Sequence, residues 1–236
     1  MKPFFTYYGG KWRAAPSYPH PAHATIVEPF AGSAGYAMRY SDRNVILVEK
    51  NAGLCEVWRY LIRTPAAEIR SLPLLEAGQS RHDLNVSEGA GLLIGWNLNK
   101  GGASPTNTPS LWMRNTKYAY QFWGEERRER VAQQVDRIRH WQVIEGDYTR
   151  APNIRATWFV DPPYQRQGRY YRHPSGALAF DALGEWCVSR DGQTIVCENV
   201  GASWLPFVPF RDIKANEARQ SGKVSREAIY LQQRGA

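Results

Sequence analysis

The alternation of short apolar runs with helically spaced residues between positions 25 and 62 limits the possible folds more than any other feature. Residues 25–27 and 45–48 are apolar runs typical of buried strands. Residues 36–40 predict a short helix between them, and apolar residues recur with helical spacing over 54–62. The order strand, helix, strand, helix is the beginning of a doubly wound α/β sheet.

The same alternation returns in the last third of the chain. Further strands are predicted at residues 141–144, 157–160, 194–197 and 228–231. A helix that Asp181 would cap is predicted before the third of these strands. The sheet therefore draws its strands from both ends of the chain.

The intervening residues do not follow this pattern. They contain several glycines, a polar stretch rich in Thr, Asn and Pro, and an aromatic cluster. A charged amphipathic helix is predicted over 125–140. We therefore predict an α/β, Rossmann-like core formed by residues 1–65 and 141–236, with an inserted, partly helical lobe at 66–140.

Size and charge narrow the class of protein. The chain has 236 residues, 43 % of them hydrophobic, which is enough for one core domain with an insertion. Its formal net charge of +8 favours a polyanionic partner, because Lys and Arg contacts with phosphates release counterions. The alternative is a soluble basic protein whose charge serves no polyanionic partner.

Cysteine usage and hydropathy indicate the compartment. Cys55, Cys187 and Cys197 have neither metal-ligand spacing nor the even number of a disulfide framework, so we expect them to be reduced and buried. No segment approaches the roughly 18 apolar residues that span a bilayer, and the N-terminal residues lack a signal peptide's apolar stretch. We predict a cytoplasmic protein that contacts no membrane and needs no metal.

The most specific chemical signal is the run Asp161, Pro162, Pro163, Tyr164 at the end of a predicted strand. The Asp161 carboxylate and the Pro162 carbonyl can accept the two N–H hydrogens of a planar amine, and the Tyr164 ring can stack on its face. The amine of a flipped-out nucleobase fits this arrangement. The alternative reading of Asp-Pro-Pro is a tight turn.

A second signal, the glycine-rich stretch 27–35, follows the first strand. Gly32 and Gly35 have no Cβ, so the backbone there can approach a ligand closely, although an ordinary strand-to-helix turn is the alternative. The spacing does not match the dinucleotide fingerprint G-x-G-x-x-G, which weakens an oxidoreductase reading. Glu49 ends the second strand, where an acid commonly accepts hydrogen bonds from ribose hydroxyls, and Asn51 is a further lining candidate.

Four motifs occur in the order of one known family. Residues 7–11 (Tyr-Tyr-Gly-Gly-Lys), 28–35, 146–148 (Gly-Asp-Tyr) and 161–164 together resemble the motifs of the Dam-like class of DNA N6-adenine methyltransferases. The resemblance covers residues 4–62 and about 141–232, and a basic segment before the last strand is a weaker match.

The resemblance implies S-adenosylmethionine as the cofactor. Asp147 would accept from the cofactor's adenine amine, Tyr148 would lie against its ring, and Lys11 would pair with its carboxylate or with the DNA backbone. The implied cofactor-binding residues are Tyr8, Lys11, Glu28, Pro29, Phe30, Gly32, Ser33, Gly35, Glu49, Asp147, Tyr148 and Asp161. Aspartate at position 161, where cytosine N4 enzymes have serine, resembles adenine N6 enzymes.

Nucleic-acid contacts are predicted in three places: an Asn-rich loop, an arginine–aromatic loop after Tyr164, and a basic segment near the C-terminus. The candidates are Asn97, Asn99, Lys100, Arg114, Arg166, Arg169, Tyr170, Arg172 and Lys223. The alternative for the Asn-rich stretch is a structural loop, and the alternative for the arginine–aromatic stretch is a solvated mobile loop. The middle lobe lacks the longer Asn-Gly and Arg-Asn-rich hairpin of GATC-reading members. A relaxed or very short recognition site is therefore predicted, as in some phage-borne members.

These features predict a monomeric, site-specific or relaxed-specificity DNA adenine N6-methyltransferase that uses base flipping. Two alternatives stay open. The acceptor could be RNA or another amine or amide, and the chain could be a non-catalytic nucleic-acid-binding module. The biological purpose, which could be restriction avoidance, evasion of host defence or regulation, also stays open.

Overall fold

The computed structural model describes residues 1–76, 78–99, 102–109, 122–165, 176, 178–214 and 224–235. In these residues the strands are β1 (Thr25–Glu28), β2 (Asn44–Glu49), β3 (Gln142–Glu145), β4 (Ala156–Val160), β5 (Gly192–Asn199), β6 (Val208–Lys214) and β7 (Val224–Arg234). The α-helices are α1 (Ala52–Arg63), α2 (Ala66–Ser71), α3 (Glu88–Asn97), α4 (Glu125–Val135) and α5 (Phe180–Val188).

The strands form one mixed sheet in the order β3-β2-β1-β4-β5-β7-β6. β1 pairs in parallel with β2 and β4, and the pairs β2–β3 and β4–β5 are also parallel. β7 runs antiparallel to both of its neighbours, β5 and β6. The chain builds outward from β1 to β3 and then crosses β1 to form β4, so a topological switch point lies between β1 and β4. The predicted α/β sheet is confirmed, and its topology is compatible with a Rossmann-like fold.

Successive strand residues divide the core into two layers, because their side chains point to opposite faces of the sheet. Ile26 and Phe159 lie in the layer that contains Trp58 of α1. Val27 and Trp158 lie in the other layer, which is covered by α5. Both faces of the central strands are thus buried, which explains why these strands are continuous apolar runs in the sequence.

Helix α3 adds the middle of the chain to the first layer. Its residues Leu93 and Trp96 are buried in the same cluster as Trp58. The rings of Phe4 and Phe5 also pack on Trp58, with centroids 6.1 Å and 5.5 Å away. This packing fixes the N-terminal segment to the core, so that the residues that follow it, up to Lys11, reach the sheet.

The six strands predicted from the sequence are present, and β6 is an additional one. The predicted helix at 36–40 is only a 3-10 turn, Ala37–Arg39, and the helix predicted over 125–140 is α4 followed by a second 3-10 turn. The predicted cap is wrong: Ala179 occupies the N-cap of α5, and Asp181 lies in its first turn without capping it.

Within the described ranges, no helix is long and apolar enough to cross a membrane. The same part of the chain contains no group of three or more His, Cys, Asp or Glu side chains that could hold a metal ion. Cys55, Cys187 and Cys197 are free and buried. Burial raises the pKa of the Cys55 and Cys187 thiols to about 12, so both stay protonated and unreactive at neutral pH.

Candidate active site

A cavity of about 280 Å³ lies at the carboxyl ends of the parallel strands. It includes the switch point between β1 and β4, where open α/β sheets bind their ligands. Its volume is near the lower end of ligand pockets, which is about 300 Å³. The sequence-predicted residues in its wall are Tyr8, Lys11, Glu28, Pro29, Phe30, Gly32, Ser33, Gly35, Glu49, Asn51, Asp147, Tyr148, Asp161 and Pro163.

A buried carboxylate from β2 shapes the glycine-rich loop after β1. The N–H of Gly32 donates to Oε2 of Glu49 over 2.8 Å, and the N–H of Asn51 donates to Oε1 over 2.9 Å. Gly32 has a φ of +48°, a left-handed conformation that favours glycine. The indole of Trp58 donates to the Gly32 carbonyl over 2.9 Å. The backbone of Lys50 also hydrogen-bonds to this carboxylate, so about one of its four acceptor sites remains for the predicted bond to a ribose hydroxyl.

Gly35 lets the N-terminal segment lie directly on this loop. A Cβ at position 35 would be 2.6 Å from the backbone N of Trp12 and 2.7 Å from that of Lys11. Contacts this short do not occur between packed atoms, and neither backbone atom could move without displacing its neighbours. Glycine at position 35 is therefore what allows Lys11 to enter the cavity.

Another part of the cavity wall is aromatic. The rings of Phe30 and Tyr148 are stacked, with centroids 5.7 Å apart and an interplanar angle of 26°. Oδ1 of Asp147 accepts from the N–H of Thr149 over 3.0 Å and from its hydroxyl, which orients the carboxylate. A planar heterocycle could lie on the aromatic pair with an amine directed toward Asp147.

Glu28 is a buried carboxyl at the end of β1, with 3 % of its surface exposed. Its Oε1 accepts from the N–H of Ala37 over 2.6 Å. Burial raises the pKa of Glu28 to about 8, with a smaller contribution from the nearby Asp161 charge. The group is thus largely protonated at neutral pH, and it adds a hydrogen-bond donor to the cavity wall.

Glu28→Gln is expected to remove a pH dependence of folding stability. The pKa of Glu28 is about 8 in the folded chain against 4.5 ordinarily, so its contribution is complete below pH 4.5 and is lost as pH rises to about 8. Glutamine imitates the protonated carboxyl and does not titrate. Relative to the variant, the wild type should lose up to about 5 kcal/mol of unfolding free energy over this range. Urea denaturation of both proteins at pH 5 and pH 8 measures the difference, and an equal difference at both pH values would contradict the assignment.

Asp161 and Lys11 form an ion pair inside the cavity. Nζ of Lys11 lies 2.7 Å from Oδ1 and 2.9 Å from Oδ2 of Asp161, and the two side chains are 9 % and 18 % exposed. Burial raises the pKa of Asp161, and the Lys11 ammonium acts in the opposite direction. In this structure Lys11 pairs with Asp161, and its predicted pairing with a ligand carboxylate or a phosphate stays a prediction.

The residues after Asp161 are held at a second point. Pro163 restricts the ψ angle of Pro162 to the extended range, so the direction of the Pro162 carbonyl is limited by the backbone. The N–H of Gln165 donates to Oε2 of the buried Glu198 over 3.0 Å. Tyr164 lies with its ring 4.9 Å from Nζ of Lys11. The described residues that form the cavity wall do not include Pro162 or Tyr164. The stacking of Tyr164 on a base therefore stays a prediction.

Glu227 of β7 is a member of this site that the sequence reasoning did not assign. It is 3 % exposed and lies 3.9 Å from Nζ of Lys11. It accepts from the hydroxyls of Tyr18 and Tyr164 and from Nε of Arg211. An acid at the beginning of the apolar run 228–231 is a signal that could have identified it.

No family model and no curated protein matches this chain. Its function must therefore be inferred from the cavity and from the chemistry of the residues around it.

Of the nine predicted nucleic-acid contacts, the structure describes only Asn97 and Asn99. Asn97 is wrong as a base-reading residue, because it is 1 % exposed and its Nδ2 donates to the carbonyls of Phe4 and Leu93. Asn99 is exposed, and its carbonyl accepts from the Thr6 hydroxyl over 3.3 Å. The other candidates lie outside the described residues: Lys100, Arg114, Arg166, Arg169, Tyr170, Arg172 and Lys223.

Proposed function

We propose that this chain is an S-adenosylmethionine-dependent methyltransferase that modifies the exocyclic amine of adenine in DNA. One observation carries the proposal. All twelve residues that the motif resemblance assigns to the cofactor line a single cavity, although they come from five separate stretches of the chain. The strand order, with β7 antiparallel beside β5, is compatible with the Rossmann-like fold that the resemblance implies.

The residues of the cavity fit this cofactor. The Phe30–Tyr148 pair and Asp147 offer a stacking surface and an acceptor for an adenine. Glu49 offers acceptor oxygens at the end of β2 for ribose hydroxyls. Gly32 exposes backbone in the intervening loop, where a side chain would obstruct a ligand. When bound, S-adenosylmethionine supplies an electrophilic methyl group on a sulfonium centre.

Asp161 and the Pro162 carbonyl would activate the acceptor. The lone pair of an exocyclic amine is delocalised into its ring, so the amine is a poor nucleophile. Hydrogen bonds from its two N–H groups to these oxygens localise the lone pair on nitrogen and stabilise the positive charge that develops there. After the transfer, the Asp161 carboxylate would accept the proton that the methylated nitrogen releases.

Burial and charge support a flipped nucleobase as the acceptor. The Asp161 side chain is only 18 % exposed, so an amine paired within a duplex would not reach it. The formal net charge of +8 supplies attraction to phosphates. Both features suit DNA whose adenine is extruded into the cavity.

Methyl transfer tests the proposal directly. Purified protein would be incubated with S-adenosylmethionine and, in separate reactions, with unmodified duplex DNA, single-stranded DNA and RNA. Mass spectrometry of the digested products should show N6-methyladenine from DNA. Methylation of RNA alone would replace the proposed acceptor. If calorimetry detected no cofactor binding, a non-catalytic nucleic-acid-binding module would be favoured instead.

A further inference from the structure

The Lys11 ammonium binds the Asp161 carboxylate, which the proposed function assigns to the acceptor amine. Its Nζ contacts both oxygens of Asp161, at 2.7 Å and 2.9 Å, and lies 3.3 Å from the Gly9 carbonyl. An incoming N–H group must therefore share Asp161 with a cation or displace it. Sharing is unfavourable, because the acceptor nitrogen itself becomes positive as it forms its new bond.

Lys11 cannot simply leave for solvent. Its side chain is 9 % exposed, and a buried ammonium without a partner is strongly destabilising. The ring of Tyr164 contributes a cation–π contact at 4.9 Å but cannot replace a carboxylate. A second anion within reach is therefore needed if the amine is to take Asp161.

Glu227 is that second anion. Its Oε2 accepts from Nε of Arg211 at 2.9 Å and from the Tyr18 hydroxyl at 3.0 Å. The contacts of Oε1 are longer: 3.4 Å to the Tyr164 hydroxyl and 3.9 Å to Nζ of Lys11. A movement of about 1 Å would bring the ammonium to the usual distance of a charge-assisted hydrogen bond with Oε1.

The antiparallel direction of β7 explains why this acid lies at the site. Glu227 is near the beginning of β7 and pairs with Asn199, the last residue of β5. Because β5 is parallel to β4, this end of β7 reaches the same edge of the sheet as Asp161. Arg211 of β6 is the register partner of Glu227 on the other side. Two cations and two anions are thus arranged alternately, with no net charge.

We propose that Glu227 is a positioning residue that receives the Lys11 ammonium when the acceptor amine takes Asp161. This inference rests on the proposed function. Before the acceptor arrives, the Lys11 ammonium favours the ionised form of Asp161. Afterwards Glu227 holds Lys11 nearby without contact with the reacting nitrogen. The exchange forms and breaks only hydrogen bonds, so every charge keeps a partner throughout.

Lysine NMR tests the transfer without any reaction. The chain has seven lysines, and Lys11→Arg identifies the ¹⁵Nζ resonance of Lys11, which is visible only while an ion pair protects its protons. In Asp161→Asn we expect this resonance to shift and persist, because Lys11 moves to Glu227. In Asp161→Asn/Glu227→Gln it should disappear. If the double variant gave the spectrum of the single one, Glu227 would not be the receiving group.

Kinetics test the role in the reaction. Misplacing a group by about 1 Å can cost about 100-fold, so Glu227→Gln should lower kcat by about 10- to 100-fold. Cofactor affinity and KM for DNA should change little, and Glu227→Asp, which keeps the charge, should restore part of kcat. Glu129→Gln, which removes a carboxylate from the exposed ion pair with Arg70, should behave as wild type.

The two proposals can fail separately. An active wild type with an unchanged kcat in Glu227→Gln would overturn the inference and leave the proposed function standing. A fall in kcat that is accompanied by changes in KM, cofactor affinity and the unfolding temperature would also overturn the inference, since that pattern indicates a structural role. A wild type that methylates no nucleic acid would overturn the proposed function and with it the role in catalysis, whereas the lysine spectra would still decide whether Glu227 receives Lys11.

Discussion

Asp161→Asn is expected to lower kcat for methyl transfer about 1,000-fold, since removing one preorganised polar group aimed at developing charge costs about 100- to 1,000-fold and here a full charge is lost. The amide keeps the size of the carboxylate but presents a single acceptor oxygen. Its NH₂ group would also face the incoming amine, donor against donor. The cofactor should still bind, because the Phe30–Tyr148 pair and Glu49 are untouched.

Single-turnover formation of N6-methyladenine measures this effect, and calorimetry with S-adenosylmethionine checks the retained binding. Asp136→Asn is the matched control, because it applies the same substitution to an exposed ion pair with Arg139. That variant should transfer methyl groups at the wild-type rate. If Asp161→Asn were as active as this control, the carboxylate would not be the acceptor of the amine hydrogens.

Local sequence patterns account for the parts of the fold that are buried on both faces. β1 and β4 are continuous apolar runs because helices cover both sides of the sheet there, and this composition is visible without any tertiary information. The loops that follow them carry Gly32 and Asp161 for the same reason: parallel strands end at one edge, so residues directly after them converge. Sequence order alone therefore predicts most of the cavity wall.

Edge structure is less predictable from local patterns. β6 contains Pro209 and the charged residues Arg211 and Asp212, a composition that does not indicate a strand. An edge strand tolerates a proline because one side of its backbone needs no partner. A register shift between Pro209 and Arg211 then brings Arg211 opposite Glu227. Only the pairing with β7, which is a tertiary property, makes this segment a strand.

Contacts between distant residues are the other part that the sequence could not supply. Lys11 and Asp161 are separated by 150 residues, and no local pattern indicates that their charges meet. Asn97 shows the opposite error. Its position in an Asn-rich, glycine-containing stretch indicates an exposed loop, yet α3 extends through it and buries its amide against the N-terminal segment. In both cases the N-terminal residues decide the outcome by packing on the core.

Gly35→Ala is expected to be the most disruptive single-methyl substitution in the cavity wall. The added Cβ would lie 2.6 Å from the backbone N of Trp12 and 2.7 Å from that of Lys11, and neither atom can move without the 3-10 turn Lys11–Arg13. Overpacking of this kind costs about 1–3 kcal/mol, and the backbone contact places this case at the upper end. The displaced turn should also withdraw Lys11 from Asp161, so methyl transfer should fall along with stability.

Gly124→Ala provides the comparison, because a Cβ there would meet no atom within 4 Å and its φ of −174° is extended backbone. Urea denaturation should show a midpoint near that of the wild type for Gly124→Ala, which loses only the preference of the α4 N-cap for glycine, less than about 1 kcal/mol, and a clearly lower midpoint for Gly35→Ala. The lysine resonance of Lys11 separates the two consequences of the second substitution. If Gly35→Ala lowered the midpoint but kept the resonance of the Lys11–Asp161 pair, the loop would have yielded instead of the N-terminal turn. Equal midpoints for the two variants would mean that the backbones do not approach as closely as this packing requires.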